Sequence, residues 1–211
     1  MATAKPPLYI IGAGGHAKVV SDCAEQCGYQ QIYMLDAQFP TLTLCGRWSV
    51  IGKPQLLDTI DLANIHCFVA IGNNKIRETV LKQLIGLDAH IATLIHPTAV
   101  IGTDVVIGQG TLIMANAVVN AFTQIGQGCI LNTCSSVDHD GQIADCVHIA
   151  PGVRLAGSVT VRDKTFIGIG SAVIQQVCIG ANVTVGAGST VIRTVPDDSV
   201  VVGSPAKLLK K

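Results

Sequence analysis

The sequence predicts a chain in two parts, an α/β subdomain with a small parallel sheet over residues 1–94 and a parallel β-helix over residues 95–195, followed by a tail at 196–211. Three observations carry this. Every sixth residue from Ile95 to Val191 is aliphatic, without a slip of register. Four residues after each stands a small or β-branched side chain, from Ala99 through Cys129, Ser135 and Gly141 to Val195. Ahead of this array, a strand, a glycine-rich turn and a helix follow one another between Leu8 and Cys27.

Taken in chain order, Leu8–Ile11 reads as a buried strand, Gly12–His16 as the turn, and Ala17–Cys27 as a helix ended by Gly28. Ile32–Leu35 is a second strand with Asp36 at its carboxyl end, and Cys67–Gly72 a third. Asn73-Asn74 caps a helix over Lys75–Leu84 that places Ile76, Val80, Leu81 and Leu84 on one face. Ile91–Ile95 hands the chain to the repeats. Strand, helix and strand in this order imply a parallel sheet of the nucleotide-binding sort. The turn spells Gly-x-Gly-x-x-Ala from Gly12 to Ala17, with acidic Asp36 further on, the pattern of a phosphate-binding turn and its ribose partner. Glycines let a phosphate approach the backbone, and the helix N-terminus offers unpaired amides. Only about ninety residues precede the array, so one half of a dinucleotide fold is present and not two.

A period of six fits neither a helix at 3.6 nor a strand at 2. It fits a chain wound into a triangular prism, one short strand per side and three sides per coil. Aliphatic residues then point inward and stack on those eighteen residues away, while the fifth position of each hexad meets a tight interior corner. Glycine often follows the aliphatic residue, as at Gly102, Gly108, Gly126, Gly168, Gly180 and Gly186, where a turn with unusual backbone angles is expected. The array makes between five and six coils, a prism roughly 25 Å long at the usual strand spacing. Such repeats bury little alone, so stability must come from stacking and association.

Composition narrows the function classes. With 211 residues, 49% hydrophobic, 13% charged and zero formal net charge, the chain is expected to be a globular protein without a nucleic-acid footprint. No apolar run suits a membrane span or a secretory leader, so a cytoplasmic address and no membrane insertion are expected. The eight cysteines show no zinc spacing and read as small buried hydrophobes in a reducing compartment.

The array contains three histidines, His96, His139 and His148. Their spacings of 43 and 9 do not supply three converging metal ligands, so no metal is expected. His139 lies in Asp138-His139-Asp140, where a carboxylate can orient the imidazole and stabilise its protonated form. Its stacking neighbours, Ala121 and Gly157, are small and are expected to leave a hollow beside the ring for a substrate amine. His148 stands half a coil away. His96, next to Pro97, reads as structural.

The GAGGHAKVV turn, the AIGNNKIR segment at 70–77, the hexads with NTCSSVDHD at 132–140 and the ending Val202-Gly203-Ser204-Pro205-Ala206-Lys207 together resemble a known group. It is the hexapeptide-repeat sugar acyltransferases, comprising sialic acid O-acetyltransferases (NeuD-like) and bacterial nucleotide-sugar N-acetyltransferases (PglD-like). The resemblance spans essentially the whole chain. It implies a Rossmann-like acceptor domain followed by a left-handed β-helix, a homotrimer, acetyl-CoA as donor, and the amino group of a nucleotide-activated sugar as acceptor. The alternatives are a sialic acid hydroxyl as acceptor and a trimeric nucleotide-binding scaffold without activity. By resemblance His139 is the general base, Asp140 the acid that raises its basicity, and His148 a contact to the acetyl group. Gly157, Ile169 and Ala187 would hold coenzyme A through the backbone, with Lys207 able to meet a phosphate. Gly14, Gly15, His16, Asp36 and Gly72 match the nucleotide-sugar site, and a pocket that uses both His139 and His148 is expected to form between adjacent subunits. One position departs from relatives that carry paired acids after the second strand: here the pair is Asp36-Ala37.

Overall fold

The computed structural model describes residues 5–209, in two compact units divided after Leu94. In the first unit the strands are β1 (Leu8–Ile11), β2 (Ile32–Leu35), β3 (Leu44–Cys45), β4 (Trp48–Gly52) and β5 (His66–Val69), with helices α1 (Gly15–Gln26) and α2 (Asn74–Gly86). The sheet order is β3-β4-β2-β1-β5. β1 pairs in parallel with β2 and β5, and β2 with β4; β3 and β4 form an antiparallel hairpin. Buried Leu8, Ile10 and Ile11 of β1, with Met34, Leu35 and Phe68 beside them, form the sheet's core. Ile91 continues the sheet by a parallel bridge to Cys67.

α2 corrects the sequence reading. Its buried face is Asn74, Arg77, Leu81 and Leu84, whereas Ile76 is 52% exposed. The cap is Asn73, whose Oδ1 accepts from the amides of Lys75 and Ile76 at 3.1 Å. The hairpin of β3 and β4 had no signature in the sequence, because strands this short carry no alternating pattern.

The second unit is a three-faced prism of parallel two-residue strands. One face carries the strands at 100–101, 118–119, 136–137, 154–155, 172–173 and 190–191. The second carries 106–107, 124–125, 142–143, 160–161 and 178–179. The third runs from Leu94–Ile95 through Ile130–Leu131, His148–Ile149 and Phe166–Ile167 to Val200–Val202, closed by antiparallel Lys207–Leu208. Every parallel pair within the repeats joins residues eighteen apart, as Val119 with Val137 and Ile149 with Ile167. Val119, Leu131, Val161 and Ile179 are fully buried; Ile95 at the open end is 37% exposed, since no coil covers it.

The corner positions hold buried hydroxyls that join two coils. Thr165 Oγ1 donates to the carbonyl of Gly180 at 2.6 Å and accepts from the amide of Val183 at 3.0 Å. Thr123 does the same with the carbonyl of Asp138 and the amide of Gly141. The glycines that follow the aliphatic positions are not in the left-handed region, contrary to the expectation. They are glycine because the next coil passes too close: a Cβ on Gly102 would lie 2.7 Å from the amide nitrogen of Ala121, and one on Gly168 2.7 Å from that of Ala187. Positive φ belongs instead to one residue at each corner, such as Asp104, Phe122, Asp140 and Ser158 along one edge.

None of the helices among the described residues is long and apolar enough to cross a membrane. All eight cysteines are free; five are buried and Cys134 is exposed. Because the corner hydroxyls satisfy backbone groups that water cannot reach, Thr165→Val is expected to destabilise the chain by about 1–2 kcal/mol, read as a lower urea midpoint.

Candidate active site

Two clusters emerge, one in each unit. In the prism, the strand Ser136–Val137 runs into a turn whose Asp138, His139 and Asp140 face solvent before Gln142–Ile143 resumes the next side. Thr123 holds this turn from beneath through the carbonyl of Asp138 at 2.9 Å. Asp138 Oδ1 accepts from Asn120 Nδ2 at 2.8 Å and from the amide of His139 at 2.9 Å, and these bonds keep its carboxyl below the usual range. His139 Nδ1 lies 2.8 Å from Asp140 Oδ2. That hydrogen bond is the main reason the imidazole pKa is raised above 6.5. With Nδ1–H donated to Asp140, Nε2 is left as the atom able to take a proton.

Gly157 explains the ring's place. A Cβ there would lie 2.6 Å from both Cε1 and Nε2 of His139. The space that the sequence reading assigned to a substrate amine is therefore filled at Gly157 by the imidazole itself. A hollow of about 430 Å³ does exist on the adjoining face, lined by Asn120, Ser136, Asp138, Arg154, Ala156 and Ile174. Asn120 was missed, although its register eighteen residues before Asp138 is a signal the repeat provides.

His148 is not brought to His139. It stands on the third face, edge-on to Phe166 at 5.2 Å with Asn132 Nδ2 3.2 Å from its Nε2, while His139 occupies the corner joining the other two faces. Ile169 and Ala187 stack on the edge between the third and first faces, beside Gly170 and Gly188, where an added Cβ would meet nothing within 4 Å. The amides of Gly157, Ile169 and Ala187 donate to no acceptor among the described residues. Ile169 is itself 57% exposed. Lys207 is exposed on the closing strand, and His96 is held locally by Thr98. Among the described residues no group of three or more His, Cys, Asp or Glu could hold a metal ion.

In the α/β unit, Gly12 has φ +104°, and a Cβ would lie 3.1 Å from the carbonyl of Ala70. The turn can thus press against the end of β5. Asp36 draws it toward β2, accepting from the amides of Ala13 and Gln38 at 2.9 Å. Gly14 caps α1 with no side chain, and an added Cβ at Gly14, Gly15 or Gly72 would meet nothing within 4 Å. His16 is shielded; burial, aided by the charge of Arg77, pushes its pKa down to about 4, so the ring is neutral near pH 7. Arg77, 1% exposed, donates to the carbonyls of Ile71 at 2.9 Å and Gly72 at 3.1 Å and to Asn74 Oδ1 at 2.8 Å. It shapes the loop facing the glycine turn. The sequence reading passed over it, yet Arg77, Leu81 and Leu84 carry helical spacing.

Comparison with known proteins adds two domain matches, the PglD N-terminal domain at residues 7–84 and the bacterial transferase hexapeptide (six repeats) at 104–139. GDP-perosamine N-acetyltransferase of Escherichia coli is 35% identical over 148 residues, 68% of this chain and 67% of that protein. UDP-N-acetylbacillosamine N-acetyltransferase of Bacillus subtilis is 38% identical over 49% of each chain. Among solved structures, PerB of Caulobacter crescentus in complex with CoA and GDP-perosamine superposes with a TM-score of 0.92 at 36% identity, covering 97% of each chain. The acetyltransferase domain of PglB from Neisseria gonorrhoeae, in complex with acetyl coenzyme A, gives 0.94 at 38% identity over 97% of this chain and all of that one.

Gly157→Ala puts a methyl group where the imidazole lies. His139 is expected to lose its bond to Asp140, and its pKa, followed by NMR titration, to fall toward 6.5.

Proposed function

The chain belongs to the PglD-like nucleotide-sugar N-acetyltransferases, and from that premise we propose that it transfers an acetyl group from acetyl-CoA to the amino group of a nucleotide-activated amino sugar, with His139 as general base. The observation that carries the assignment is the His139–Asp140 pair, which fixes the tautomer and leaves Nε2 at the edge of the turn. The sugar's free amine must give up a proton as it attacks, and a histidine of raised pKa is suited to take it near neutral pH. When bound, acetyl-CoA supplies an acetyl group activated as a thioester. As the C–N bond forms, Nε2 accepts the amine's proton and can hand it to sulfur as the C–S bond breaks. Asp140 stabilises the imidazolium between these two events.

Coenzyme A fits the edge between the third and first faces of the prism, where the amides of Ile169 and Ala187 would receive its pantetheine arm, with Gly157 on the next edge beside His139 and Lys207 near a phosphate. His148 would contact the acetyl group. As His139 and His148 of one chain lie on different parts of the prism, a site using both needs a neighbouring copy, which favours a homotrimer with pockets between subunits. In the α/β unit, Gly14, Gly15, His16 and Gly72 would receive the nucleotide's phosphates, with Asp36 and Arg77 holding the two loops that frame them. The two curated relatives named above bear names of amino-sugar N-acetyltransferases, and no feature of the site favours a sialic acid hydroxyl. A reaction drawing on acetyl-CoA and sugar nucleotides belongs in the cytoplasm.

The test is thiol release from acetyl-CoA with GDP-perosamine and a UDP-4-amino-4,6-dideoxy sugar as acceptors. His139→Ala is expected to lower kcat by about 10²–10⁴-fold in a folded protein; full activity would refute the base. Since the base must be neutral to act, kcat/KM should rise with pH through the elevated His139 pKa. In Asp140→Asn that limb should move to lower pH, with a lower plateau.

A further inference from the structure

The turn that carries His139 stacks with its counterparts in successive coils. Asp104, Phe122, Asp140, Ser158 and Gln176 hold the same place along one edge, and all five have φ between 54° and 61°, in the left-handed region. Asp, Asn and Gly take that conformation readily; a bulky aromatic residue does not. Among the described residues Phe122 is the one aromatic side chain with positive φ. It is also 56% exposed, so its ring is not there to fill the prism.

Neither local preference nor burial within the chain accounts for an aromatic ring at this corner. Its position does. The amide of Asp140 donates to the carbonyl of Ala121 at 3.1 Å, and that of Phe122 to the carbonyl of Thr103 at 2.9 Å. The backbone of Phe122 therefore stands one coil, ~4.8 Å, before that of Asp140, whose carboxylate orients the base. His139 leans the opposite way, over Gly157 in the following coil. The corner that carries the base thus has exposed Phe122 one coil before it and the backbone of Gly157 one coil after it.

We propose that Phe122 is a specificity-determining residue of the acetyl transfer, its ring packing against the C–H-lined face of the acceptor's pyranose while the amino group meets Nε2 of His139. This rests on the function proposed above and names what that site selects. The electron-rich face of the phenyl ring attracts polarised C–H groups. A deoxygenated amino sugar, with a methyl group in place of a hydroxymethyl, presents more such surface than a fully hydroxylated one. The strained backbone at Phe122 is then retained for recognition of the sugar.

The experiment is steady-state kinetics of the full chain with acetyl-CoA and, as acceptors, GDP-perosamine and a UDP-4-amino-4,6-dideoxy sugar, comparing the unaltered chain, Phe122→Asn, Phe122→Tyr and His139→Ala. Phe122→Asn is expected to raise the acceptor KM about three- to tenfold, with far smaller effects on kcat and on the KM for acetyl-CoA. Phe122→Tyr should restore the acceptor KM. Because Asn suits the left-handed corner, the melting temperature of Phe122→Asn should equal or exceed that of the unaltered chain, and its oligomeric state should not change. An unchanged acceptor KM would overturn the proposal. So would a lower melting temperature or a changed assembly, either of which would make Phe122 a packing residue. If the unaltered chain acetylates neither sugar, or His139→Ala remains active, the underlying reading fails and takes this one with it.

Discussion

The backbone hydrogen bonds that lock each coil onto the next, in a register that pairs residues eighteen apart, are the constraint on which the prism depends. They run from the amide of Val118 to the carbonyl of Ser135, of Asp138 to Leu155, and of Ala156 to Val173, at 2.9–3.0 Å. Since no strand exceeds two residues in the repeats, no single side of a coil could hold itself. The register decides what stands above what. Interior aliphatics meet aliphatics, corner hydroxyls meet the carbonyl and amide of the next coil, and glycines stand where backbone passes over backbone.

The same register sets the chemistry. Asn120, Asp138 and Ala156 occupy one column, and Ala121, His139 and Gly157 the next. Only a residue without a side chain at 157 lets the imidazole lie where Asp140 can reach Nδ1. Thr123, a corner residue that looks purely structural, fixes the turn from below. The core and the proposed site therefore rest on the same bonds: a slip of the register would remove His139 from the Asp140 carboxylate as surely as it would open the core.

Legibility followed the strength of the periodic signal. The interior positions were readable because one aliphatic row repeats seventeen times from Ile95 to Val191. The glycines were read as present but for the wrong reason, since composition does not separate a left-handed turn from a close approach of two backbones. On α2, the rule that apolar residues face inward misplaced Ile76 and passed over Arg77, a cation buried by its bonds to the carbonyls of Ile71 and Gly72. The hairpin of β3 and β4 was too short to read. Asp36 was legible as an acid after the second strand, but not its bonds to the amides of Ala13 and Gln38, which depend on how the turn closes.

His139 at one corner and His148 on the opposite face stand apart within a chain, so the proposed site that uses both is one completed by a neighbouring copy. Subunit mixing tests this directly. His139→Ala and His148→Ala chains, each inactive alone, would be unfolded together, refolded into mixed assemblies and assayed for acetyl transfer. Recovery of about a quarter of the unaltered activity is expected for random mixing in a cyclic trimer, since each active pocket needs one intact histidine from each neighbour. No recovery, in assemblies shown to contain both chains, would contradict the account.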